Sequence, residues 1–119
     1  MKSEADHQTA IFQWVKLHVK RYPELAFCFS TLNGIRIPIG LARKAKAQGN
    51  LRGVSDMLLL WPNGTFNGLA IELKIKGNYP SKEQKEFISF LNKGNYYACV
   101  CYGYKETIET ILKYLKNEL

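Results

Sequence analysis

The feature that most constrains this chain is a pair of apolar runs that carry charges where charges are costly. Gly68-Leu69-Ala70-Ile71-Glu72-Leu73-Lys74-Ile75-Lys76 reads as a strand bounded by Asn67-Gly68 and Gly77-Asn78. Successive side chains of a strand point to opposite faces, which puts Ala70, Glu72 and Lys74 on one face and Ile71, Leu73 and Ile75 on the other. An unpaired buried charge is expensive, so Glu72 and Lys74 need a partner, a metal or a solvent cleft. Ser55-Asp56-Met57-Leu58-Leu59-Leu60-Trp61 is a second apolar run with an acid at its start. The seven residues from Pro62 to Gly68 join the two runs, and their Pro, Asn and Gly signal a hairpin loop. The hairpin folds Asp56 back beside Glu72 and Lys74. Two carboxylates and a lysine then meet at one end of a sheet.

The remaining elements follow from local signals. Ser3 with Asp6 is a capping box, and Gln8, Ile11, Phe12, Val15, Val19 and Tyr22 recur at helical spacing, predicting a helix from 3 to about 21 that Pro23 ends. Phe27 to Leu32 is a short strand closed by Asn33-Gly34, and Pro38 to Gln48 is a short basic helix or an ordered loop. Ser81 begins a helix with an inward stripe of Gln84, Phe87, Ile88 and Leu91 that stops at Gly94. Tyr96 to Tyr102 is an apolar strand and Lys105 to Leu119 a last helix. The order α-β-β-β-α-β-α, with the basic segment between the first two strands, predicts an α/β fold: one mixed sheet flanked by helices. Without a linker or repeat, residues 1–119 form a single domain.

Charge points to a polyanionic partner. The chain has 17 Lys and Arg against 10 Asp and Glu, a net charge of +7, which favours nucleic acid. The surplus is local: residues 33–55 hold Arg36, Arg43, Lys44, Lys46 and Arg52 and no acid. A solvated basic loop is the competing explanation. Cys28, Cys99 and Cys101 have no zinc-like spacing and suit a reduced compartment. With no apolar run long enough to span a membrane and no secretory segment at Met1–Asp6, the expectation is an intracellular, cytoplasmic protein.

The pattern Asp-(x)15-Glu-x-Lys across a hairpin resembles the metal-dependent PD-(D/E)xK nuclease core. Gly53-Val54-Ser55-Asp56, Gly68 to Lys74 and Ser81-x-x-Gln84 narrow the likeness to the virus-type replication-repair nuclease (VRR-NUC) domain in its short form. It departs from the family at Ser55, where a proline is usual. The resemblance implies a restriction-endonuclease-like core and hydrolysis of DNA phosphodiester bonds. Asp56 and Glu72 are hard oxygen donors suited to Mg2+, with Mn2+ as a substitute. The family adds the Leu73 carbonyl as a ligand, and Glu4, from a Glu-x-x-x-Gln start, as an acid reaching the metal directly or through water. Lys74 would orient or deprotonate the attacking water, or stabilise developing charge. Gln84 would position that lysine or the water, although a capping box with Ser81 explains it without any site. Lys76 is expected on a phosphate, and His7 in a capping or surface role, with a place lining the cleft beside Glu4 as the alternative.

Three further functional expectations stand beside each other: a structure-selective endonuclease, a dimeric resolvase of four-way junctions, and a binding module without turnover. A homodimer is expected, because Tyr96, Tyr97, Tyr102 and Tyr104 exceed what one strand and one helix face can readily bury.

Overall fold

The computed structural model describes residues 3–32 and 37–119. Helix α1 spans Glu4–His18 and starts on the expected capping box between Ser3 and Asp6. It ends earlier than its periodicity suggests. The His18 carbonyl accepts from both Arg21 and Tyr22 N–H groups, closing a tight turn, and Pro23 forces the residue before it out of helical geometry. A 3-10 turn, Pro23–Phe27, takes up the first residue of the expected strand, leaving β1 as Cys28–Ser30. The basic segment contains a true helix, α2, Ile39–Ala47, which buries none of its residues.

Strands β2 (Met57–Leu59) and β3 (Leu69–Lys74) form the expected antiparallel hairpin, with Met57 opposite Ile71 and Leu59 opposite Leu69. The base of the loop is fixed by its own side chain, since Asn63 Oδ1 accepts from the N–H groups of Thr65 and Phe66 at 3.0 and 2.7 Å. Helix α3 (Lys82–Lys93) then crosses to β4 (Tyr97–Tyr102), which runs parallel to β3. A parallel neighbour requires such a crossover. Helix α4, Gly103–Leu115, follows directly. The sheet order β1-β2-β3-β4 is mixed, and β3 lies inside it.

One face of the sheet carries the main core. Met57, Leu59, Ile71 and Leu73 pack with Ile11 and Val15 of α1 and with Ile111 and Tyr114 of α4. The Tyr114 hydroxyl donates to the Trp61 carbonyl at 2.6 Å, tying α4 to the hairpin. On β3 the alternation holds, yet Ala70 and Glu72 are buried as well, so both faces of this inner strand are covered. The same covering corrects the expectation about the late tyrosines. Tyr97 and Tyr104 pack against the core and Tyr96 is half-buried, so of the four only Tyr102 is exposed. Exposed apolar residues are spread over the described surface; among them Phe27, Phe29, Leu60 and Trp61 lie on or just beyond β1 and β2, with Phe27 and Trp61 stacked at 5.5 Å.

Candidate active site

Continuing the β2–β3 register by one step sets Asp56 opposite Glu72. The strand has ended at Asp56, and its carboxylate does what a ladder partner would otherwise do: Oδ2 accepts the Leu73 N–H at 2.7 Å. Its backbone is held on the other side, where the Asp56 carbonyl accepts the Thr31 N–H at 3.0 Å and the Ser55 carbonyl accepts the Thr31 hydroxyl at 2.7 Å. Because the N–H and C=O of a strand residue lie on the same edge, the Leu73 carbonyl faces the Asp56 side of β3. The three expected metal donors therefore share one place at the open end of the hairpin.

Gly53 sets the approach to Asp56. It has φ +82°, and a Cβ there would meet the Glu83 carbonyl carbon and oxygen at 2.6 Å. Only glycine allows both the left-handed turn and this close packing on the first turn of α3. The Gly-Val-x-Asp motif thus joins the acid to the helix that carries Gln84. Ser55, the departure from the family pattern, is fully buried, and its hydroxyl has no hydrogen-bond partner.

Glu72 is only 1% exposed. Of the three remedies its burial allowed, the structure supplies a partner: Lys74 Nζ lies 3.6 Å from Glu72 Oε2. That partner is incomplete, since Glu72 Oε1 is buried without a hydrogen bond. Burial is the main cause that pushes the Glu72 carboxyl up to about 8, with the hydrogen bond and charge of Asp56 adding and Lys74 opposing. Burial likewise raises the Asp56 carboxyl, against the lowering effects of its bonds to Glu72 and Leu73 and of the Lys74 charge. Two carboxylates forced together hold a proton that a cation would displace. Paired hard oxygens, one of them orphaned, fit a divalent ion such as Mg2+.

The other expected site residues divide. Glu4 is near enough for its charge to raise the Asp56 carboxyl further, but its Oε2 accepts from Asn78 Nδ2 at 2.9 Å. Among the described residues no three His, Cys, Asp or Glu side chains are gathered around one point, so Asp56 and Glu72 stand as a pair. Gln84 completes its capping box: Oε1 accepts the Ser81 N–H at 2.7 Å and its own N–H reaches the Ser81 hydroxyl. Gln8 braces α1 on β1 through Ser30 Oγ at 3.0 Å. His7 is a cap, its Nδ1 accepting the Tyr104 N–H at the start of α4, 2.8 Å away. Lys76 is exposed just beyond β3.

Of the basic segment, Arg43, Lys46 and Arg52 line one cleft of about 620 Å³ together with Thr31. Thr31 links that cleft to Asp56. Lys44 does not line it, and Arg36 lies outside the described residues. Sequence reasoning missed Thr31 and Asn78. Thr31 carries no local signal. Asn78 was visible only as turn punctuation, although an Asn beside a Gly after a charged strand was the place to look for a side chain that bonds back.

Comparison with known proteins identifies the family. The VRR-NUC domain family matches residues 2–105. Among solved structures, one described as a VRR_NUC domain protein superimposes with a TM-score of 0.78 at 30% identity, covering 98% of this chain and 90% of that chain. None of the curated proteins matches. A match that runs from α1 through the acid-bearing hairpin and α3 into α4 places the chain in the VRR-NUC family of PD-(D/E)xK nucleases.

Proposed function

We propose that this protein is a Mg2+-dependent, structure-selective endonuclease that hydrolyses DNA phosphodiester bonds, with Mn2+ able to replace Mg2+. The observation that carries the proposal is the convergence of Asp56, Glu72 and Lys74 at the open end of the β2–β3 hairpin. A structural ion pair would account for Glu72 and Lys74 alone. It does not account for a second carboxylate beside them, or for a buried Glu72 oxygen left without a donor.

Asp56, Glu72 and the Leu73 carbonyl would hold the ion, and Glu4, restrained by Asn78, would reach it through water. When bound, Mg2+ supplies Lewis-acid polarisation of a phosphoryl oxygen and neutralises phosphate charge. The Leu73 amide keeps Asp56 in one orientation and would leave its second oxygen free to bind the ion. Lys74 is largely shielded, with a side chain 13% exposed, and in such surroundings its ammonium acts strongly on nearby oxygens. It orients the attacking water or stabilises the charge that develops on the phosphate. Arg43, Lys46 and Arg52 track the phosphate backbone leading to the site, and Lys76 takes a phosphate on the other side.

A homodimer belongs to the same proposal. Its support is the group of exposed apolar side chains Phe27, Phe29, Leu60 and Trp61 at the β1–β2 end of the sheet, with Phe27 and Trp61 stacked, which a second copy would cover. Two sites in one particle suit paired incisions.

Incubation with a panel of flap, splayed, nicked, single-stranded and four-way DNA substrates, in Mg2+ and then in EDTA, tests the activity. Cleavage that needs the metal and differs among the substrates is the expected result. Absence of cleavage from every substrate in both Mg2+ and Mn2+ refutes it. Sedimentation at micromolar protein tests the dimer, and a species near 13.7 kDa that cuts both strands defeats it.

A further inference from the structure

On the loop that leaves β3 after Lys74, the fold presents an aromatic ring to solvent. Tyr79 is 79% exposed, the most exposed aromatic among the described residues. Burial of such a ring is worth a great deal to a small domain, so its exposure calls for a reason. Looseness is not that reason. Asn78, immediately before it, is fixed three times: its N–H donates to the Ile75 carbonyl at 3.0 Å, its side chain to Glu4 Oε2 at 2.9 Å, and its carbonyl accepts the Tyr102 hydroxyl at 3.1 Å. Immediately after it, Pro80 restricts the Tyr79 backbone to extended geometry, and the Ser81 capping box begins α3. Both flanks of the ring are set before any ligand arrives.

The ring's position matches a role at the site. The loop leaves β3 directly after Lys74, and Asn78 binds the same Glu4 whose charge is felt at Asp56. Lys76, three positions before Tyr79, is exposed on the same loop. Phe90, the next most exposed ring, differs in having the Lys93 ammonium 5.3 Å from its centroid.

We propose that Tyr79 is a substrate-binding residue that stacks on an unpaired base beside the phosphate to be cut, while Lys76 holds a neighbouring phosphate. Aromatic rings grip single-stranded nucleic acid by stacking, whatever the sequence, because every base has a flat face. A base within an intact duplex has already given that face to its neighbours. The loop therefore favours DNA with an unpaired nucleotide at or next to the cleavage position. This inference rests on the nuclease proposal and narrows its substrate.

The test separates the two. A 2-aminopurine base is placed at the unpaired position of a splayed oligonucleotide, and binding is followed by fluorescence at low salt in EDTA, where no cut is needed. Wild type should quench the probe, and Tyr79→Ala should lose the quenching and bind the splayed substrate roughly tenfold more weakly. Both should bind a fully paired duplex equally, and Tyr79→Phe should behave as wild type. Retained quenching in Tyr79→Ala, or an equal loss on paired and splayed DNA, overturns the stacking role. So does a shift of Tyr79→Ala to a smaller sedimenting species, which assigns the ring to a contact between copies. Quenching by a wild type that cuts nothing in Mg2+ upholds the stacking site and refutes the nuclease; cleavage with no effect of Tyr79→Ala does the reverse.

Discussion

The Asp56 carboxylate is held by the backbone amide of Leu73, 2.7 Å away, the residue between the acid and the lysine of β3. A hydrogen bond from a backbone that cannot rotate away fixes one oxygen and leaves the other directed. The bond needs the carboxylate of Asp56 but only the backbone of Leu73, so the Leu73 side chain does not record it.

Separate roles for the acids and the lysine predict separable defects. Asp56→Asn and Glu72→Gln should lose both Mg2+ binding and cleavage. Lys74→Ala should keep Mg2+ binding and lose turnover by about a hundredfold or more, the usual effect of removing a group that acts on protons or charge at the reaction centre. Titration calorimetry and cleavage rates on the same preparations read the two properties. Full cleavage by Asp56→Asn sinks the site assignment.

How much of this was legible in the chain depends on range. The capping boxes at Ser3 and Ser81 span three residues each and were readable, as was the hairpin, because turn chemistry and apolar runs are local signals. The α/β class followed from their order. What was not readable is the set of bonds that join distant segments. His7 caps the first turn of α4 by accepting from the Tyr104 N–H, nearly a hundred residues later, and Asn78 restrains Glu4 from beyond the end of β3. The fate of the late tyrosines was hidden for the same reason. Tyr96 lies against Gly68 and Tyr97 meets Phe66 edge-on, contacts between distant segments that no local pattern records.

The buried acid pair predicts a pH dependence of stability. The Glu72 carboxyl is raised from 4.5 to about 8 on folding. A raised carboxyl favours the folded protein in its protonated form, so the folded state is unpenalised below about pH 4.5 and loses stability as pH rises through about 8. Glu72→Gln, always neutral and able to donate to Asp56, should escape that loss. In EDTA the variant should be more stable than wild type by roughly 1–3 kcal/mol at pH 9, with the difference vanishing near pH 4. Saturating Mg2+ should remove the wild-type loss and release about one proton on binding at neutral pH. Denaturation in parallel at the two pH values gives the answer. Profiles that run parallel for the two proteins count against a strained acid pair.

Gly53 offers a test of how the acid is joined to α3. Gly53→Ala forces a side chain against the Glu83 backbone at 2.6 Å and puts a non-glycine residue at φ +82°. The two faults together should cost roughly 2–4 kcal/mol. Gly77→Ala is the control, since it has φ +96° and nothing within 4 Å of the added carbon. It should cost only the backbone strain, about 1–2 kcal/mol. Urea midpoints of the two variants measure the difference. Equal losses would mean that α3 yields to the methyl group and that Gly53 is required for its turn alone.

The basic cleft predicts a change in the salt dependence of DNA binding. Arg43, Lys46 and Arg52 line one cleft together with Thr31, whose N–H is bonded to the Asp56 carbonyl, so a strand bound there would approach the acid pair. Each phosphate neutralised by such a contact releases counterions and steepens the fall of affinity with salt by about 0.9 on the double-logarithmic scale. Replacing all three by Gln should therefore flatten the slope by up to about three units, without changing Mg2+ affinity. Lys44, which does not line the cleft, should contribute less than one unit when replaced alone. Binding is measured in EDTA across a range of salt, so that no substrate is consumed. A slope unchanged by the triple substitution identifies the segment as a solvated basic helix and removes it from the substrate path.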